Sequence, residues 1–95
     1  MKINLYATFR LLAGEKSFEL DLPSGILLKD ALPCIVDRCP ALRTHWLDAA
    51  GTLYPHVHIF VNGHEAFTLT DGLDTALQPA DTLDFFPPVA GGTGI

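Results

Sequence analysis

The stretch "LKDALPCIVDRC" (residues 28–39) decides the fold. Leu28, Ala31, Leu32, Ile35, Val36 and Cys39 fall at i, i+3, i+4, i+7, i+8 and i+11. That spacing predicts one apolar stripe on an α-helix. Pro40 marks its end. Pro33 opposes it, because a proline inside a helix removes one backbone bond and crowds the carbonyl four residues earlier, here that of Lys29. The stripe is unbroken, so the reading is a helix that starts late or bends at Pro33.

On both sides of the helix the period falls to two, the mark of a strand with one buried face. In "KINLYATF" (2–9), Ile3, Leu5, Ala7 and Phe9 alternate with Lys2, Asn4, Tyr6 and Thr8. "RLLAGEK" (10–16) reads as a turn around Gly14, with Leu11 and Leu12 still touching the core. "SFELDL" (17–22) alternates again, with Phe18, Leu20 and Leu22 inward, so the two runs form a hairpin. Beyond the helix, a short helical turn is expected around Leu42–Leu47. "HVHIFVNG" (56–63) points Val57, Ile59 and Val61 inward and ends in Asn62-Gly63, a tight-turn signal. "EAFTL" (65–69) reads as a short edge strand. "TDGLDTALQPAD" (70–81) is turn-rich, with Leu73 and Leu77 plugging the core. "TLDFF" (82–86) is the last strand, with Leu83 and Phe85 inward.

The predicted order is β-β-α-β-(β)-β, and only one long helix is available to cover the apolar sheet face. The fold class is therefore α+β: a ubiquitin-like β-grasp with a mixed sheet of four to five strands. Residues 1–86 form the domain and residues 87–95 a C-terminal arm. The chain has 95 residues, 48% hydrophobic and 18% charged, which fits one globular domain. No apolar run approaches the roughly 20 residues of a membrane span. "MKINLYATFR" lacks the layout of a signal peptide, so a cytoplasmic location is expected.

Net charge is −5, from 11 acids and 6 bases. Lys2, Arg10, Lys16, Lys29, Arg38 and Arg43 read as scattered, with no basic stripe for nucleic acid. A mildly acidic chain suits a basic protein partner better. Cys34 and Cys39 have neither redox nor metal-knuckle spacing. Five residues rotate a helix by about 140°, so the thiols diverge and read as small apolar side chains.

Parity turns Tyr6, Phe60 and Phe86 to the sheet face away from the helix. Three outward aromatics on neighbouring strands predict a protein interface, with hot-spot character. After them come Pro87-Pro88, which end the strand because proline cannot feed a ladder. From Pro87 to Gly92 an extended arm reaches about 20 Å at roughly 3.3–3.6 Å per residue. It narrows from Val89 through Ala90 to Gly91-Gly92, and an end without side chains can enter a slot that any Cβ would block.

"DFFPPVAGG", with "VNG" in an earlier strand and the β-β-α-β order, resembles the sulfur-carrier branch of the ubiquitin-like proteins. That branch includes the small subunit of molybdopterin synthase, the thiamine sulfur carrier and a cysteine-pathway carrier. The resemblance implies a carrier and not an enzyme. Gly92 would be the site of adenylation and of thiocarboxylate formation, with Gly91 giving clearance. Phe86, Phe60, Tyr6, Pro87, Pro88 and Val89 would meet the partners. Those partners would be an adenylating enzyme of the ubiquitin-activating type, which uses ATP and magnesium, a sulfur-donor protein, and an acceptor enzyme. The acceptor would resemble a molybdopterin-synthase large subunit or a cysteine synthase. The chain itself would bind no cofactor.

One feature departs from that family, whose second glycine is usually terminal. Here Gly92 is joined to Thr93, so its carbonyl is an amide. The expectation is cleavage between Gly92 and Thr93, by a zinc metalloprotease of the deubiquitinase type. The alternatives are a ubiquitin-like modifier conjugated through Gly92, and a non-covalent β-grasp interaction module.

Two further groupings carry less. His56 and His58 share one strand face, with Asp84 expected opposite and His45 and His64 in reserve. Zinc needs three or four ligands and the spacing fixes no third, so no metal site is assigned. The acid pairs Asp81/Asp84 and Asp71/Asp74 read as solubilising charges. No nucleophile set, phosphate loop or nucleotide fingerprint is present.

Overall fold

Residues 1–88 are described by the computed structural model; the Gly91-Gly92 arm, Val89 and the Gly92–Thr93 bond lie outside the described residues. The strands are β1 (Lys2–Leu5), β2 (Ser17–Glu19), β3 (His58–Val61), β4 (His64–Glu65) and β5 (Thr82–Phe86). They form one mixed sheet in the order β2-β1-β5-β3-β4. β1 and β5 run parallel, with Ile3 opposite Leu83 and Leu5 opposite Phe85. The neighbouring pairs are antiparallel. This is the expected ubiquitin-like β-grasp.

The helix α2 (Leu28–Arg38) buries Leu28, Ala31, Leu32, Ile35 and Val36, the stripe read from the sequence. These side chains join Ile3, Leu5, Val57, Ile59, Leu77, Leu83 and Phe85 in one core. α2 begins at Leu28, so the late start expected from Pro33 is not found. Pro33 is exposed, which leaves the carbonyl it cannot pair on the side open to water.

Residues 6–13 differ from their reading as strand and turn. β1 stops at Leu5, Ala7 takes φ 51°, and Thr8–Ala13 form a short helix, α1. Gly14 closes it in the left-handed conformation, its N–H donating to the Arg10 carbonyl. Strand parity and helix period both place Phe9 inward, and Phe9 is buried. They disagree on the rest. Ala7 is exposed, and Leu11 and Leu12 are 79% and 37% exposed rather than in contact with the core.

The turn Asn62-Gly63 forms as expected, with φ 50° and 85° at its two residues. The edge strand after it is cut short. β4 holds only His64 and Glu65, and Ala66–Thr68 turn into a 3-10 helix that buries Ala66 and exposes Phe67. The expected turn near residue 42 is a 3-10 helix, Pro40–Leu42, running into α3 (Arg43–Trp46). No described helix is long and apolar enough to cross a membrane.

Both cysteines are free thiols. Burial raises the Cys39 thiol above its ordinary value, partly offset by the Arg38 guanidinium. Cys34 is half-buried on the outer part of α2. Alkylation with iodoacetamide near pH 8, followed by peptide mass mapping, should therefore modify Cys34 at least about tenfold faster than Cys39. Equal rates would show that α2 opens readily at its C-terminal end.

Candidate partner-binding face

Alternation along β1, β3 and β5 sends one set of side chains into the core and the other onto the outer sheet face. On β5, Leu83 and Phe85 are fully buried, whereas Thr82, Asp84 and Phe86 are half-buried. Cross-strand register then assembles the outer set. Asn4 and Phe60 both lie opposite Asp84, and His58 lies opposite Phe86. Tyr6 follows β1 directly, its N–H donating to the Phe85 carbonyl at 3.2 Å.

The three outward aromatics meet. Phe86 stacks on Tyr6 with centroids 4.2 Å apart and planes 11° from parallel. Phe60 meets the other side of Phe86 edge-on at 5.4 Å and 80°. Such pairs contribute about 0.5–1.5 kcal/mol beyond the area they bury. Phe86 is thus the central ring of an apolar cluster whose three rings are each half-buried among the described residues. Beside it, His58, Phe60, Phe86 and Pro87 line an open apolar groove of about 340 Å³. Pro87 is half-buried in that groove and Pro88 is exposed. The face and Pro87-Pro88 are therefore contiguous at the end of β5.

Asn4 and Asp84 on this face hold one another. Asn4 Nδ2 donates to Asp84 Oδ1 at 2.7 Å. Asp84, expected across from the histidines, instead lies opposite Phe60 and is engaged by Asn4. His56 stacks on Tyr54, with centroids 5.2 Å apart. Among the described residues no three His, Cys, Asp or Glu side chains gather as a metal site. Asp81 does more than carry charge: it accepts from Asn62 Nδ2 at 2.9 Å and from the Gln78 N–H at 2.8 Å. It thereby fastens the β3–β4 turn to the start of β5. Asp74 pairs with Lys29 at 2.9 Å, which raises the lysine pKa chiefly through the hydrogen bond.

The bases are not scattered, as their positions in the chain suggested. Lys29, Arg38 and Arg43 each pair with a carboxylate, whereas Lys2, Arg10 and Lys16 converge on one small pocket beside Tyr6. Sequence reasoning missed this corner, because it depends on the β1–β2 register and on the short helix α1.

Comparison with known proteins follows the same lines. The ThiS family matches residues 3–92. Small archaeal modifier protein 3 of Haloferax volcanii is 34% identical over 92 residues, covering 97% of this chain and 98% of that protein. The crystal structure of small archaeal modifier protein 1 from the same organism superposes with a TM-score of 0.85 at 32% identity, over 96% of this chain and 97% of that one. A Pyrococcus furiosus protein named for subunit 1 of a molybdopterin converting factor superposes with a TM-score of 0.71 at 29% identity, over 93% and 95% of the two chains.

Proposed function

The chain belongs to the ThiS family of ubiquitin-like carriers and modifiers, and from that premise we propose that it is a sulfur carrier acting through Gly92. The observation that carries this reading is the aromatic cluster of Tyr6, Phe60 and Phe86, half-buried on the outer sheet face where β5 hands over to Pro87-Pro88, from which the sequence runs on to Gly91-Gly92. A docking face adjoining a narrow arm suits a protein that is held by one enzyme surface while its end enters an active site.

The chemistry is supplied by partners. Hydrolysis of the Gly92–Thr93 amide, by a zinc metalloprotease of the deubiquitinase type, would free the Gly92 carboxylate. An adenylating enzyme of the ubiquitin-activating type would then join that carboxylate to the α-phosphate of ATP with magnesium present, releasing pyrophosphate. Hydrosulfide displaces AMP directly and leaves a thiocarboxylate. A donor persulfide leaves an acyl disulfide instead, which a second thiol cleaves by reduction. Gly91 and Gly92 carry no side chains to obstruct either step. The thiocarboxylate sulfur is a soft nucleophile on a steerable arm, presented to an acceptor enzyme of the molybdopterin-synthase or cysteine-synthase type.

A second reading is favoured by the 34% identity to a Haloferax volcanii protein named as a modifier. The same Gly92 adenylate would then pass to a lysine amine of another protein. The two readings share activation and part at the nucleophile.

Two measurements test the proposal. The intact mass of the protein from its own host should end at Gly92, with one oxygen replaced by sulfur. A variant ending at Gly92 should support ATP–pyrophosphate exchange by the cognate adenylating enzyme, and the chain extended through Thr93 should not. Conjugates on lysines without any thiocarboxylate would select the modifier. Absence of adenylation for the Gly92-ended variant would leave only a non-covalent interaction module.

A further inference from the structure

The sequence holds six bases, and the fold divides them into two sets. Lys29, Arg38 and Arg43 are paired with Asp74, Glu15 and Asp37. Lys2, Arg10 and Lys16 have no carboxylate within ion-pair distance among the described residues, and all three line one pocket with Asn4, Tyr6 and Ser17. In a chain carrying 11 acids, leaving those three cations together and uncompensated is a local reversal of the overall charge. The carboxylates nearest in register are engaged elsewhere. Glu19, opposite Lys2, lies 3.8 Å from the terminal amine, and Asp84, opposite Asn4, accepts from that asparagine.

The corner is assembled by backbone geometry. The β1–β2 register sets Asn4 opposite Ser17 and brings Lys16 alongside β1. The turn at Ala7, with its positive φ, starts α1 and returns Arg10 to the same edge. The Arg10 guanidinium lies 6.0 Å from the Tyr6 ring centroid, and its Nε is 3.4 Å from the Leu5 carbonyl. Tyr6 in turn stacks on Phe86. Basic corner and aromatic cluster are therefore one continuous surface, joined through Tyr6.

We propose that the pocket framed by Lys2, Arg10 and Lys16 receives a carboxylate-bearing segment of a protein partner whose apolar residues rest on Tyr6, Phe86 and Phe60. This deepens the docking role given above to the outer sheet face, and rests on that role. Size and charge select the occupant. At about 160 Å³ the pocket falls below the roughly 300–1,000 Å³ of ordinary small-molecule sites, and it has room for a carboxylate side chain. Three cations on a chain of net charge −5 do not form the stripe that a phosphate backbone requires. Opposite charges placed beside an apolar patch fix the register of docking and speed encounter.

The test is a two-dimensional NMR titration of the full chain at low salt with the peptide acetyl-Asp-Glu-Asp-Leu-Phe-amide and with its neutral twin, acetyl-Asn-Gln-Asn-Leu-Phe-amide. The acidic peptide should shift the amides of Asn4, Tyr6, Arg10 and Ser17 and bind about tenfold more tightly than the twin, a preference that salt erases. The double variant Lys2→Glu, Lys16→Glu should lose that preference, and Lys2→Arg, Lys16→Arg should keep it. All these side chains are exposed, so the spectra also report that the fold is intact. Equal binding of the two peptides, or shifts confined to other regions, would overturn the inference. So would inorganic phosphate that matches the acidic peptide at equal concentration, by assigning a general oxyanion site. The carrier reading fails separately, through the adenylation assay of the Gly92-ended chain, in which no peptide takes part.

Discussion

Phe86→Asp is expected to weaken binding to the adenylating enzyme proposed as its partner by about 30- to 1,000-fold, the range of an aromatic hot spot worth about 2–4 kcal/mol, while the domain stays folded. Phe86 touches both Tyr6 and Phe60, so its removal dismantles the apolar cluster from the centre. The introduced carboxylate would then need desolvation on docking. It also faces His58 and shares a strand face with Asp84, so some of the effect is electrostatic. Phe86→Ala separates the terms: it removes the ring without the charge and should retain most of the loss. Phe85→Asp is the matched control. Phe85 is one residue away, fully buried, and opposite Leu5, so a charge there should unfold the domain. Near-unchanged affinity in a folded Phe86→Asp variant would exclude the outer face as the docking surface. Unfolding of that variant would place Phe86 in the core.

The contrast between residues 85 and 86 also shows what the sequence could disclose. β5 was legible because five alternating residues run into two prolines, and both signals place its end at Phe86. Phe60 and Phe86 follow from parity on β3 and β5, whereas Tyr6, just past the end of β1, stays on the same face because its N–H still donates to the Phe85 carbonyl. α2 was legible despite Pro33, because six apolar residues keep the helical period on the far side of the proline ring. Residues 6–13 were opaque for the converse reason. The run is short, Phe9 points inward under either period, and the choice turns on the backbone at Ala7, whose positive φ no propensity of alanine announces. The basic corner was hidden by the same segment, for positions 2, 10 and 16 meet only once α1 has been formed and β2 has taken its register. "EAFTL" shows a third limit. Ala66 is buried by a 3-10 turn after two strand residues, and a five-residue run with Ala66, Phe67 and Leu69 as its apolar members does not distinguish that from an edge strand.

Trp46 marks the other blind spot, and its replacement by alanine is expected to produce the largest loss of stability among single core changes here. It sits at the end of the four-residue α3, without periodic context to announce it, yet it is fully buried. Its ring stacks on Phe85 at 4.2 Å and 16°, and Phe9 meets it edge-on at 5.6 Å. It therefore ties α1, α3 and β5 together. Trp46→Ala removes those contacts and leaves a cavity, at a cost of about 3–5 kcal/mol against a typical domain stability of about 5–15 kcal/mol. For a domain of this size the melting temperature should fall by roughly 20 °C. Trp46→Phe refines the cause. The indole Nε1 is buried with no hydrogen-bond partner among the described residues, so phenylalanine gives up ring volume without giving up a hydrogen bond to them. The Phe variant should consequently melt far closer to the wild type than the Ala variant does. A melting temperature within a few degrees of wild type for Trp46→Ala would mean that the ring is not integral to the core. Comparing Trp46→Ala with Phe86→Asp then separates fold from face. Below its own melting transition the first should bind the adenylating enzyme in proportion to its folded fraction, while the second should fail to bind although fully folded.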